Sequence, residues 1–147
     1  MREIKIEIEV LEFLHKNLLV IKEAILRIIK TQDINENFMN DLKEILVFYR
    51  NIIKAINSML RRRNKDADNL SVGEKMATYM SIKINLIKSS EIKDVAGILI
   101  QDINLSSNQI KKVINEYTKI SKTIINLSNR IFLTNEKSVK ILEKYTK

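Results

Sequence analysis

Residues 105–147 read LSSNQIKKVINEYTKISKTIINLSNRIFLTNEKSVKILEKYTK. In this stretch apolar residues recur at alternating steps of three and four positions, which is the spacing of a coiled-coil seam. The seam consists of Ile110, Val113, Tyr117, Ile120, Ile124, Leu127 and Ile131, and it resumes at Ile141 and Tyr145. Because no Gly or Pro interrupts the run, the pattern predicts one long C-terminal helix over residues 106–147, roughly 60 Å long at 1.5 Å per residue. Ser106 and Gln109 have the spacing of a capping box and are the predicted start of this helix.

Residues 1–63 predict an antiparallel helical hairpin, because two heptad seams flank a short polar turn. The first seam contains Leu11, Leu14, Leu18, Ile21, Ile25 and Ile28, and the second contains Phe38, Leu42, Ile45, Tyr49, Ile52, Ile56 and Met59. A further apolar stripe on the first helix comprises Ile6, Val10, Phe13, Val20 and Ala24. So wide an apolar face predicts more than one neighbouring helix. Asp33 and Glu36 are the predicted capping pair of the second helix.

Residues 64–70 form the most polar segment and are the predicted linker. Residues 71–104 predict two shorter helices, and Gly97 in the second of them is expected to allow a close helix crossing. The chain contains two Gly and no Pro, so it has little turn chemistry. The sequence therefore predicts an all-α fold, in which residues 1–147 form a single domain, an elongated bundle of four to five helices.

The residue types needed for most catalytic sites are scarce. With one His and no Cys, the chain has no Cys–His pair and no zinc cluster, and its sequence presents no Ser–His–Asp arrangement. No glycine-rich phosphate loop is present. We expect a non-enzymatic protein with no catalytic residues, metal or cofactor, and we interpret His15 as a packed side chain. The longest apolar run is about five residues, too short for a transmembrane segment, and a cytoplasmic location is expected.

The net charge of +8 is concentrated in residues 105–147, which carry nine basic and three acidic side chains. With Ile110 as heptad position a, one basic stripe occupies positions c and g beside the seam. The stripe comprises Lys112, Lys119, Arg130, Lys137, Lys140 and Lys144. It is either a solvated face or a surface that binds the phosphate backbone of nucleic acid. The solvated face is the simpler interpretation, since no aromatic residues are interleaved for base stacking.

Two further features have alternative interpretations. The Arg61–Arg63 run either complements the negative end of a helix dipole or contacts nucleic acid. The C-terminal seam is either bundle core or a surface that receives an amphipathic helix of a partner protein. Its candidate partner-binding residues are Tyr117, Ile120, Ile124, Leu127 and Ile131. The seam can also be satisfied by a second copy in a homodimer.

The order of parts resembles the flagellar type III export chaperones of the FlgN type. The resemblance rests on the Lys-Glu-Ala-Ile-Leu run at 22–26, the turn with Asp33 and Glu36, and the Leu-Lys-Glu-Ile-Leu run at 42–46. It also rests on the basic end of the hairpin at Arg61–Arg63 and on a long C-terminal helix with Asn on its polar face, at 108, 115, 126 and 129. In that family the hairpin supports the fold and the C-terminal amphipathic region binds the client. The resemblance implies a client surface within residues 117–131. The chain is basic where that family tends to be acidic, and it has extra helical segments at 71–104.

Taken together, these features favour a cytoplasmic helical protein-binding module, similar to an export chaperone or adaptor, that binds a partner helix. The alternative is a small nucleic-acid-associated protein, of viral or mobile-element type, that uses the basic stripe as a sequence-independent phosphate-binding face.

Overall fold

The computed structural model of the chain describes residues 2–31, 33–63, 91–117 and 120–147, with side chains from residue 5 onward. These residues form four helices, α1 (Arg2–Thr31), α2 (Glu36–Arg62), α3 (Ile92–Glu116) and α4 (Lys122–Glu143), and no strand. The predicted all-α class is therefore confirmed for the described ranges. None of the four helices combines the length and the hydropathy that a membrane span requires.

α1 and α2 lie side by side and run in opposite directions. Glu7 near the start of α1 pairs with Arg63 just after α2, with 3.0 Å between Oε2 and Nε. The residues of both predicted seams are buried, and Leu14 and Ile45 are examples with no exposed surface. α2 is capped by Asn35, whose side chain accepts a hydrogen bond from the Phe38 amide at 2.8 Å. Asp33 was the predicted cap, and the structure shifts the cap by two residues.

The predicted single helix over residues 106–147 is wrong. α3 already begins at Ile92 and continues through 104–105, the predicted boundary, so Ser106 and Gln109 lie within a helix and cap nothing. α3 ends at Glu116, because Tyr117 has extended backbone (φ −98°, ψ 114°). α4 then begins after Ser121, whose hydroxyl accepts from the Ile124 amide at 3.4 Å.

α3 and α4 pack against each other as antiparallel neighbours. Asn135 of α4 donates to Ser107 of α3 at 2.8 Å, and Lys111 one turn further along α3 lies over the ring of Phe132, one turn back on α4. The chain therefore reverses between α3 and α4, and the long seam is divided between two helices that face one core.

The pair α3–α4 packs against the pair α1–α2 to give a four-helix bundle. Asn17 of α1 meets Ser106 and Gln109 of α3, and Tyr49 of α2 meets Asn135 of α4. At one end of the bundle the Tyr145 hydroxyl donates to Asp41, and the ring of Tyr145 packs edge-on against Phe38 with 4.7 Å between centroids.

Arg63 and Glu91 lie at opposite ends of this bundle. Arg63 is beside Glu7, at the end where α4 begins, whereas α3 begins at the end that holds Tyr145. The predicted linker at 64–70 and the predicted helix at 71–88 lie outside the described residues. The predicted helix around Ile92–Ile103 is the first half of α3. Gly97 does not mark a close crossing, because a Cβ atom at this position would meet nothing within 4 Å.

Candidate protein-binding groove between α1 and α3

A groove of about 390 Å³ runs between α1 and α3, and its lining is mainly apolar. Its walls are formed by Phe13, Val20 and Ile21 from α1 and by Leu105 from α3. Leu105 is 45% exposed, which is high for a large aliphatic side chain. Phe13 and Val20 are half-buried against the core. An open groove of this composition can accept apolar side chains from outside the bundle.

The spacing of apolar residues explains why the groove lies here. Ile6, Phe13 and Val20 recur every seven residues along one flank of α1, and Ile98 and Leu105 do the same on α3. Positions seven apart drift by only ~20° on a straight helix, so each set forms a stripe along its helix. The stripe on α1 was part of the predicted second apolar face, and it lies on the side of α1 that faces α3.

The floor of the groove is polar but internally bonded. The Asn17 amide donates to Gln109 Oε1 at 3.0 Å, and the Ser106 hydroxyl donates to Asn17 Oδ1. Asp102 is buried beside them and has a bonding partner of its own. Because these groups satisfy one another, they hold α1 to α3 and leave the apolar walls as the surface that favours contact with a ligand. Lys16 is the one cation among the groove residues.

The predicted partner-binding residues do not form an open surface. Ile124 and Ile131 have no exposed area and Leu127 is 7% exposed, because α4 turns this stripe toward the core. Tyr117 and Ile120 are half-buried at the chain reversal. A partner helix could reach the three positions on α4 only by displacing the packing of that helix. In this conformation the α4 part of the seam is core.

The predicted basic stripe is not continuous. Lys112 lies on α3, whereas Arg130, Lys137 and Lys140 lie on α4 and Lys144 directly follows it, so the chain reversal separates Lys112 from the others. Lys119 lies outside the described residues. The four cations from Arg130 onward in this stripe are exposed, but two of them contact α2. Lys137 lies over the ring of Phe48 at 4.5 Å, and Lys144 pairs with Asp41 at 3.1 Å. The Asp41 carboxylate offsets part of the positive potential that a polyanion would need, whereas Phe48 positions the Lys137 ammonium without neutralising it.

The Arg61–Arg63 run closes α2 and joins three helix ends. Arg61 and Arg62 lie in the last turn of α2, and Arg63 donates both to the Met59 carbonyl at 2.9 Å and to Glu7. Partial burial alone would raise the pKa of Glu7, but hydrogen bonds from Ser121 and Arg63 and the charge of Arg63 together lower it. Ser121 is also the N-cap of α4. The cations thus serve the fold here, as the dipole interpretation expects.

His15 is buried on α1, and its burial and the nearby charge of Lys22 both lower its pKa. Its imidazole is therefore neutral near pH 7. Within the described ranges no three His, Asp or Glu side chains converge as metal ligands. Nothing about His15 favours a catalytic role over packing.

Sequence reasoning missed the groove because it treated the end of α3 and the start of α4 as one helix, which hid the pairing of α1 with α3. The available signal was the wide apolar face of α1, which predicted a second neighbour without identifying it. Comparison of the chain with protein-family models, with curated proteins and with solved structures finds no match.

Proposed function

We propose that this protein is a helical protein-binding module that receives the apolar face of a partner helix in the groove between α1 and α3. The observation that carries the proposal is the exposed Leu105 opposite the stripe of Phe13 and Val20. Phe13 and Val20 are seven residues apart, or ~10 Å at 1.5 Å per residue. A partner helix that presents apolar anchors at i, i+3 or i+4, and i+7 fits that length.

An export chaperone or adaptor in the cytoplasm is the role that we infer for such a module. This inference retains the class of function implied by the resemblance to the FlgN type, but moves the client surface from the seam at 117–131 to the flank of the bundle. Small all-helical proteins that hold a client helix need an apolar groove on a stable scaffold, and they need no catalytic groups.

A partner protein is favoured over nucleic acid by the composition of the groove. Its walls are apolar and it has one cation, Lys16, whereas a phosphate-binding face needs several cations in a row. Of the exposed cations on and just after α4, Lys137 contacts Phe48 and Lys144 pairs with Asp41. The nucleic-acid alternative therefore depends on fewer free charges than the sequence suggested.

Site-specific photocrosslinking in cells of the source organism tests the proposal. A photoreactive amino acid at Leu105 should capture one protein in stoichiometric yield, and the same amino acid at Leu133 is the matched control. Leu133 is 67% exposed and lies on α4 among the basic residues, outside the groove. The captured protein, once purified, should bind the wild type and lose affinity by about tenfold or more on Leu105→Glu, since a charge would be buried against apolar walls.

The competing outcomes are distinct. Crosslinking at Leu133 to nucleic acid, with affinity that falls steeply with salt, would favour the basic-face alternative. Equal capture of proteins at both positions, or binding that Leu105→Glu leaves unchanged, would reject the groove as the binding site.

A further inference from the structure

The apolar seam continues across the chain reversal without a change of phase. The alternating steps of three and four persist, although the first two residues of the seam lie on α3 and the last three on α4. The seam consists of Ile110, Val113, Tyr117, Ile120, Ile124, Leu127 and Ile131. The sequence between Glu116 and Lys122 contains no Gly or Pro. A chain that must reverse here usually carries such residues, so the local sequence is compatible with a continuous helix as well as with the observed turn.

The two forms differ between the end of α3 and the start of α4. Tyr117 (φ −98°, ψ 114°) and Ser121 (φ −63°, ψ 151°) are extended in the structure, and both would take helical values if α3 continued into α4. The straight form would lose the Ser121 cap on Ile124 and the hydrogen bond between Ser121 and Glu7.

A straight helix cannot exist in a single copy, because it would carry the whole packed face of α4 away from the core. Ile124, Ile131 and Leu142 have no exposed surface in the bundle, and Asn135 is held by Tyr49 and Ser107. A second copy of the chain offers α4 the same packing site against α2 and α3. If each copy supplies its α4 to the other, every contact of α4 with α2 and α3 forms again between chains.

We propose that two copies of this chain form a dimer by exchanging α4 through a continuous α3–α4 helix. The surface involved is the face of α4 already described, and the partner is a second copy of the same chain. The exchange leaves the contact between α1 and α3 within each copy. It does not depend on the proposed binding of a partner helix.

Two substitutions at the chain reversal should shift the equilibrium between monomer and exchanged dimer in opposite directions. Lys122→Pro suits the observed form, because proline is favoured at the first position of a helix, but it breaks a continuous helix. The dimer-to-monomer ratio should fall by about a hundredfold or more. Ser121→Ala removes the cap that favours the turn, and the ratio should rise by roughly fivefold per chain. Both are measured by size-exclusion chromatography with light scattering after incubation over a range of concentrations.

A crosslinking experiment shows whether a dimer is an exchanged one. Lys111 of α3 and Glu136 of α4 are exposed and line the same cleft, and the chain has no native cysteine. In the Lys111→Cys/Glu136→Cys variant a short bismaleimide should join the two positions within one chain in the monomer. In the dimer fraction it should join two chains, which denaturing electrophoresis resolves.

Dimer fractions that give only intrachain crosslinks would reject the exchange, as would a dimer that Lys122→Pro leaves intact. The proposal also fails if wild type and Ser121→Ala both stay monomeric at the highest soluble concentration. Circular dichroism of each variant confirms that helicity is retained, so that a loss of dimer is not a loss of fold.

Discussion

The hydroxyl of Tyr49 on α2 donates a hydrogen bond of 2.6 Å to Oδ1 of Asn135 on α4, inside the core. The amide nitrogen of Asn135 in turn donates to Ser107 of α3 at 2.8 Å. One buried side chain thus joins three helices, and burial raises the pKa of Tyr49 above its ordinary value, although Ser138 acts in the opposite direction. The phenol remains protonated, and remains a donor, throughout the neutral range.

Removing both partners of this bond should cost less than the sum of the two single removals. Tyr49→Phe leaves Asn135 Oδ1 buried without the Tyr49 donor, and we expect the free energy of unfolding to fall by about 1–3 kcal/mol. Asn135→Leu removes the acceptor of the Tyr49 hydroxyl proton at a similar cost. In the double variant neither group is left unpaired, so the combined loss should be at least ~1 kcal/mol smaller than the sum of the single losses. Urea denaturation of the four proteins measures this cycle.

Additive losses in the cycle would show that the two groups do not depend on each other. The exposed pair Asn129→Leu and Arg50→Leu provides a control, because both side chains face solvent. Each should change the unfolding free energy by no more than about 0.5 kcal/mol, and together they should be additive.

Heptad spacing predicted α1 and α2 because the apolar residues of each helix recur with the helical period and therefore all face the core. Leu14 and Ile45 lie on the predicted seams and are fully buried. The same spacing could not locate the reversal after Glu116, since an antiparallel helix pair and a straight coiled coil bury the same positions. The signal that was overlooked is Ser121, a good N-cap residue three positions before Ile124.

The apolar spacing of the sequence also could not predict which polar side chains are buried in the core. Ser138 occupies a position where the seam calls for an apolar residue, yet it has no exposed surface. Its hydroxyl is satisfied within its own helix, because it donates to the Thr134 carbonyl at 2.8 Å. Asn17 and Asn135 are buried for a different reason, since each finds partners on other helices. A periodic pattern records polarity but cannot show whether a partner is within reach.

Replacing Gly97 by alanine should stabilise the protein. Gly97 lies inside α3, and an added Cβ would contact no atom within 4 Å. Because glycine is less favourable than alanine in a helix interior, Gly97→Ala should raise the unfolding free energy by about 0.5–1 kcal/mol. Thermal and urea denaturation measure the change. A loss of stability would mean that the position is more crowded than the structure shows, and would support the close crossing that the sequence suggested.

Polar substitutions in the seam of α4 should unfold the protein. Ile124→Ser and Leu127→Ser each remove apolar volume from the core and bury a hydroxyl, at about 2–5 kcal/mol apiece. Their sum approaches the ~5–15 kcal/mol of a typical domain, so circular dichroism should show loss of the cooperative transition.

The matched control for the seam is the pair Ile125→Ser and Leu133→Ser, which lies on the same helix but is exposed. This variant should stay folded, with a change of about 0.5 kcal/mol or less per substitution. If the seam variant instead kept its helicity and a cooperative transition, α4 would not be part of the core. The seam would then again be a candidate partner surface.

Stability should fall as the pH is lowered from 7 to 5, and His15 should be the cause. Burial and the charge of Lys22 lower the pKa of His15 below its ordinary value of 6.5. As the pH falls through 6.5, the unfolded chain takes up a proton that the folded protein does not, so protonation favours unfolding. The free energy of unfolding should decrease by at most ~1.4 kcal/mol per pH unit in this window.

The variant His15→Gln separates this effect from the carboxylates. Glu7 and Asp41 have pKa values held below their ordinary 4.5 and 3.8, so the stability that they contribute is lost only as the pH falls below those values. Urea denaturation at pH 7, 6 and 5 should therefore show a slope in the wild type and almost none in His15→Gln. An equal slope in both proteins would mean that His15 takes up its proton as readily in the folded chain as in the unfolded one. The imidazole would then have to be reached by water, and the packing interpretation of this residue would fail.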